Sequence, residues 1–266
     1  MAQIGVFDSG IGGLSILNEA LRQLPKNHYV YFADSANAPY GERSAEWIAQ
    51  RSLKICQHLA TIGCDAIVVA CNTATAEAIR KIREALPNIP IIGVEPGIKP
   101  AAMQSQNGIV GVLATEATLS SDKFNALLAT LPQHCRFVKQ AGAGLVPLIE
   151  AGKTHTIETQ QLLASHLKPI QEAGADTLVL GCTHYPFLNP LIETILGKQI
   201  KVIDTSEAVV RQLGRQIQEK ALVDSKTPYQ LLLKSSLDGK KLHNRVDQLI
   251  NPSPVDHQIR SETLTL

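Results

Sequence analysis

Two stretches of the chain share one pattern: Gly63-Cys-Asp-Ala-Ile-Val-Val-Ala-Cys-Asn-Thr73 and Gly174-Ala-Asp-Thr-Leu-Val-Leu-Gly-Cys-Thr-His184. In each, an apolar run ends in a small residue, then a cysteine, then hydrogen-bonding side chains. Cys71 and Cys182 therefore hold equivalent places, 182 − 71 = 111 positions apart. A chain that presents matched thiols from matched halves has the parts to treat one molecule from opposite sides.

The echo continues outward. Ile89-Pro-Ile-Ile-Gly93 precedes Ile200-Lys-Val-Ile-Asp204 by the same 111 positions, and Gly5-Val-Phe-Asp-Ser9 resembles Gly111-Val-Leu-Ala-Thr115 at an offset of 106. One changed loop absorbs the difference of five. Short apolar runs at 4–7, 29–33, 66–70, 90–93, 109–113, 136–138, 177–181 and 201–203 read as strands. Amphipathic stretches at 14–24, 45–62, 74–86, 121–131, 156–173 and 186–196 read as helices. Such alternation predicts an α/β fold of two similar domains, each a mainly parallel sheet flanked by helices. The expected active site lies in the cleft between them.

The turn-rich Glu95-Pro-Gly-Ile-Lys-Pro100 marks a boundary. A helix at 207–222, an apolar run at 229–234 and a helix at 240–250 exceed the second unit, so the chain is expected to return and complete the first. The domains then comprise residues 1–96 with 206–266, and 97–205. Residues 251–266 are polar, carry two prolines, and are expected to be loosely held.

The 266 residues allow one large or two modest cores. Aromatics make up only 4% and the net charge is +1, which argues against base-stacking platforms and strong nucleic-acid binding. No basic leader or long apolar stretch is read, so neither a signal peptide nor a membrane span is expected. Five cysteines, an odd number without a regular framework, fit a reducing cytoplasm.

In parallel α/β sheets, ligands bind where strand carboxyl ends lead into helices. Asp8 and Ser9 follow the first strand, and Cys71, Asn72 and Thr73 follow the third. In the second half, Thr115 and Thr118 follow one strand, and Cys182, Thr183 and His184 another. A strand-end cysteine by itself reads as a small buried hydrophobe. Two in register read as proton carriers, with helix N-termini to favour thiolate and with Asp8 and His184 to assist. Cys56, Cys64 and Cys135 lack polar companions and read as structural.

Asp8-Ser-Gly-Ile-Gly-Gly13 lacks the spacing of a phosphate loop, and Asp8 would repel a phosphate. An amino acid suits it better: Asp8 faces the amine, and amides at the helix start hold a carboxylate. Helix capping by Asp8-Ser9 is the competing reading. Tyr40 and Gly41, in a long loop, read either as pocket lining or as an ordinary turn. The remaining histidines read as surface or capping residues. A zinc site from Cys71, Cys182, His184 and Asp8 is the chemical competitor, but no Cys-x-x-Cys appears and no metal is expected.

These segments resemble the glutamate racemases of the aspartate/glutamate racemase family. The resemblance rests on Gly5-Val-Phe-Asp-Ser-Gly-Ile-Gly-Gly-Leu-Ser15, Pro39-Tyr-Gly41, Val69-Ala-Cys-Asn-Thr-Ala74 and Leu180-Gly-Cys-Thr-His-Tyr-Pro186, in the family's order. The chain departs from the family's pattern at Asp34-Ser-Ala-Asn-Ala38 and after Leu222. The resemblance implies interconversion of L- and D-glutamate without a cofactor, supplying D-glutamate for peptidoglycan. It implies Cys71 and Cys182 as the acid/base pair, with Asp8 assisting the first and His184 the second. It places substrate contacts on Asp8, Ser9, Tyr40, Gly41, Asn72, Thr73, Thr183 and His184, with Thr115, Thr118 and Glu150 as further transfers. It also implies a homodimer. A sister racemase for aspartate or hydantoin and a non-catalytic amino-acid-binding protein are the alternatives.

Overall fold

The computed structural model describes residues 1–132, 134–218, 229–250 and 257–266. The chain forms two compact units, Met1–Val94 with Ser206–Leu266, and Glu95–Thr205. The first unit opens with β1 (Gln3–Asp8), α1 (Leu14–Gln23), β2 (His28–Ala33), α2 (Ala45–Thr61), β3 (Ala66–Val69), α3 (Asn72–Ala85) and β4 (Ile91–Gly93). The second contains α4 (Ile98–Gln104), β5 (Ile109–Ala114), α5 (Glu116–Ser120), α6 (Asp122–Ala129), β6 (Arg136–Ala141), α7 (Leu145–Glu150), α8 (Ile157–Glu172), β7 (Thr177–Gly181), α9 (Asn189–Leu196) and β8 (Lys201–Ile203). The chain then returns to the first unit with α10 (Ser206–Gln218), β9 (Tyr229–Ser235), α11 (Gly239–Leu249) and β10 (His257–Thr263).

The first sheet has the order β10-β9-β2-β1-β3-β4 and the second β6-β5-β7-β8. Their strand pairs are parallel. The second sheet thus repeats the β2-β1-β3-β4 part of the first, strand for strand. In each, the chain crosses back over its first strand. This leaves a topological switch point between β1 and β3, and another between β5 and β7.

Period-two alternation sets the layers. Phe7, Val30, Phe32, Ile67 and Val69 form one core with Ile48, Ile55 and Leu59 of α2 and Ala78 and Ile82 of α3. Val110, Val112, Ala114 and Val179 form another with Ile98, Ala101, Leu119 and Phe124 of α4, α5 and α6. Each large aliphatic or aromatic side chain buried this way contributes about 1.5–3 kcal/mol. Side-chain caps fix several helix starts: Ser44 accepts from Trp47 N–H, Thr156 from Thr159 N–H, and Asp238 from the amides of Lys240 and Lys241.

Several elements depart from expectation. Half of the turn-rich 95–100 segment is helical, because Pro100 falls in the first turn of α4, where its missing N–H costs nothing. The helix expected at 186–196 opens as a 3-10 turn, Tyr185–Leu188, and α9 begins only at Asn189. Residues 257–263, expected to be loosely held, form β10 and pair with β9 along its length. The expected helical residues 219–222 and the stretch 251–256 lie outside the described residues. Among the described residues, no helix is long and apolar enough to cross a membrane.

Candidate active site

Asp8 ends β1 and is fully buried. Its Oδ1 accepts from Gly10 N–H at 2.8 Å, which closes a tight turn rather than capping a helix. Helix α1 starts six residues later, after Gly13, with no side-chain cap. Tyr31 Oη donates to Gly10 O at 2.7 Å and pins the same turn. Gly13 is required by space: a Cβ there would sit 2.8 Å from Asp8 Cβ and 3.0 Å from both Ala70 Cβ and Tyr31 Oη.

Cys71 is the N-cap of α3, and its sulfur accepts from Ala74 N–H at 3.5 Å. The thiol also reaches Ser9 Oγ at 3.6 Å, so the ends of β1 and β3 meet at this sulfur. An amide donor and a helix N-terminus both stabilise negative charge there. Asn72 and Thr73, in the first turn of α3, are buried, and Asn72 Nδ2 donates to Val94 O at 3.4 Å. Thr75 fastens the base of the turn, donating to Val69 O and accepting from Val94 N–H, each at 3.0 Å.

Tyr40 and Gly41 lie in a 3-10 turn, Tyr40–Glu42, which packs against α3. Tyr40 belongs to the same buried cluster as Cys71 and packs edge-on against Trp47 at 5.4 Å. Its hydroxyl donates to Asp34 Oδ2 at 2.7 Å. Burial, followed by the Asp34 carboxylate and the Cys71 sulfur, pushes this phenol far above its ordinary range, so it stays a donor. Sequence reading missed Asp34 and its partner Arg51. The available signal was an arginine on the apolar stripe of α2, between Ile48 and Ile55.

In the second unit, Cys182 follows β7 at the place Cys71 takes after β3. It does not cap an α-helix; a turn and the 3-10 segment follow, with Tyr185 N–H bonded to Cys182 O at 3.1 Å. Its sulfur instead faces His184 Nδ1 at 3.8 Å. His184 Nε2 lies 2.6 Å from Glu150 Oε1, at the end of α7. Burial works against the imidazolium, yet the Cys182 sulfur and the Glu150 carboxylate outweigh it, and the His184 pKa stands well above the ordinary value.

Tyr185 is buried beneath this group and donates to Gly142 O at 3.2 Å. Thr183 is buried in the turn. Thr115 and Thr118, after β5, engage each other: Thr115 Oγ1 donates to Thr118 Oγ1 at 2.8 Å and accepts from Thr118 N–H at 3.2 Å. Their hydroxyls fasten the start of α5.

Cys56 and Cys64 are buried in the core of the first unit. Burial raises the Cys56 pKa far above the thiol range and pushes Cys64 up to about 11. Neither serves as a proton carrier near neutrality. His58, expected at the surface or in a cap, instead holds its Nε2 buried against the core beside Phe32. Among the described residues, no group of three or more His, Cys, Asp or Glu could hold a metal ion.

The Asp/Glu/Hydantoin racemase family model matches residues 7–213, more than half of the chain. A glutamate racemase of Ralstonia nicotianae is 49% identical over 97% of this chain and 93% of its own. The crystal structure of Escherichia coli glutamate racemase, in complex with L-glutamate and the activator UDP-MurNAc-ala, superposes with a TM-score of 0.86. That chain is 30% identical, over 99% of this chain and 98% of the other. Glutamate racemase from Francisella tularensis, in complex with D-glutamate, gives a TM-score of 0.83 at 28% identity, over 98% and 97% of the two chains.

Proposed function

The chain belongs to the Asp/Glu/hydantoin racemase family, and we propose that it is a glutamate racemase working by two cysteine acid/base groups without a cofactor. The observation that carries this reading is the pair of strand-end thiols, each held with its own partners. Cys71 meets Ser9 and the α3 N-terminus, while Cys182 meets His184 and, through it, Glu150.

One sulfur, as thiolate, removes the α-proton and becomes a thiol. The other thiol donates its proton to the opposite face of the α-carbon and becomes a thiolate. Inversion follows with no net change in protons on the protein, and the roles exchange for the other enantiomer. Following the family, Cys71 deprotonates D-glutamate and Cys182 L-glutamate. Asp8 assists Cys71, and the imidazole of His184, oriented by Glu150, assists Cys182.

Asp8 receives the substrate ammonium group. Ser9, Tyr40, Gly41, Asn72, Thr73, Thr115, Thr118, Thr183 and His184 supply donors to its carboxylates and hold the developing carbanion-like charge. The product D-glutamate serves peptidoglycan synthesis in the cytoplasm, and the working form is a homodimer, which light scattering would check. Circular dichroism of separate L-glutamate and L-aspartate incubations tests the substrate assignment. The glutamate signal decays to zero and the aspartate signal holds; decay of aspartate alone overturns the assignment.

A further inference from the structure

Asp34 ends the β2 side of the first sheet and is completely buried, yet it is ionised against a single arginine. Arg51 of α2 grips it with two bonds: Nε donates to Oδ2 at 2.8 Å and Nη2 to Oδ1 at 2.7 Å. The same Oδ2 accepts the Tyr40 hydroxyl, and Asn37 Nδ2 donates to both oxygens. The third arm of Arg51, Nη1, donates to the backbone carbonyl of Leu266 at 2.8 Å.

Leu264 and Leu266 pack against the α2 core, and Leu264 N–H bonds to Ser235 O at 2.8 Å. Behind them, Lys234 of β9 and Glu262 of β10, which face each other in register, form an ion pair. One guanidinium therefore joins the segment after β10 to the turn that carries Tyr40 and Gly41. A buried ion pair is a poor device for stability alone, since apolar groups of similar volume fill a core as well. Two parallel bonds from a planar fork do fix direction.

We propose that Arg51 and Asp34 are positioning residues, which lock the Leu264–Leu266 segment to the Tyr40–Gly41 turn and so set that turn against Cys71. The kinetic part rests on Tyr40 and Gly41 being substrate contacts; the structural part does not. Neither Arg51 nor Asp34 touches the reacting atoms.

Two variants test this: truncation after Thr263, and Arg51→Lys, which keeps the charge and loses the fork. Each is compared with the parent chain for iodoacetamide labelling of Cys71 and Cys182, resolved by peptide mass spectrometry, and for KM and kcat. Cys71 labels about tenfold faster in both variants and Cys182 at an unchanged rate, while KM for glutamate rises about tenfold and kcat falls less. Combining the two changes adds little to either, because both cut one link.

Equal Cys71 labelling in folded Arg51→Lys and parent chains overturns the proposal, as does equal acceleration at both cysteines. Where far-UV circular dichroism shows the truncated chain unfolded, Arg51→Lys alone decides. A parent chain that does not racemise glutamate would refute the substrate assignment, and the labelling rates would still decide the positioning.

Discussion

One imidazole serves two partners: His184 presents Nε2 to Glu150 Oε1 at 2.6 Å and Nδ1 to the Cys182 sulfur at 3.8 Å. The carboxylate therefore reaches the thiol through a ring whose orientation it fixes, and its charge favours the imidazolium. At Cys71 the contacts differ: an amide and a serine hydroxyl meet the sulfur.

Glu150→Gln keeps the shape of the relay and removes its charge. We expect kcat/KM to fall on the order of ten- to a hundredfold. Enantiomers have equal free energy, so the fall must be the same from L- and from D-glutamate, while kcat and KM change unequally in the two directions. Progress curves from each enantiomer check this. Unaltered kinetics would remove Glu150 from the mechanism.

The raised His184 pKa carries a stability consequence with a definite sign. The folded chain binds this proton more tightly than the unfolded chain. The resulting stabilisation is complete below the ordinary histidine value of about 6.5 and disappears as pH rises through the folded value. Melting temperatures of the parent and His184→Gln should differ most in mildly acid solution and converge in alkaline solution. A gap that widens with pH would contradict the assignment.

Asp34 follows the opposite sign. Burial opposes its ionisation, but the bonds from Arg51 and Tyr40 outweigh that and hold the carboxyl below its usual range. Its contribution is present above about pH 4 and is lost as pH falls through the lower folded value. Asp34→Asn strands a largely buried guanidinium and should cost about 3–5 kcal/mol at neutral pH. Urea titrations at pH 7 and pH 3 measure both quantities, and the difference between parent and variant should shrink at the lower pH.

Gly13→Ala pushes a methyl group into Asp8, Ala70 and Tyr31 at the end of β1. Overpacking of this kind costs about 1–3 kcal/mol. Because the displaced atom belongs to Asp8, activity should fall as well, which an assay on the folded variant would show.

Most of the two sheets was legible in the chain because most strands carry a short apolar run closed by polar residues, and the repeat of 106 and 111 positions is kept by β1 with β5 and by β3 with β7. Strand β10 was not legible: His257-Gln-Ile-Arg-Ser-Glu-Thr263 is mostly polar, and its place depends on pairing with β9 and on Lys234 meeting Glu262. Helices α5 and α7 are too short for periodicity to register.

At the candidate site, the residues beside the cysteines could be read from position along the chain. The partnership of Asp34 with Arg51 could not, because it joins a strand end to a helix face 17 residues away, and the arginine on the apolar stripe of α2 marks one partner without naming the other. The loss of an α-helical N-terminus after Cys182 follows from Pro186 and Pro190, which favour the 3-10 turn and delay α9.

Exchange of the α-hydrogen in heavy water tests the two-thiol mechanism most directly. L-glutamate incubated with the parent chain should yield D-glutamate carrying one deuterium at the α-carbon, and both Cys71→Ala and Cys182→Ala should lose this conversion. Full activity in both variants would contradict it.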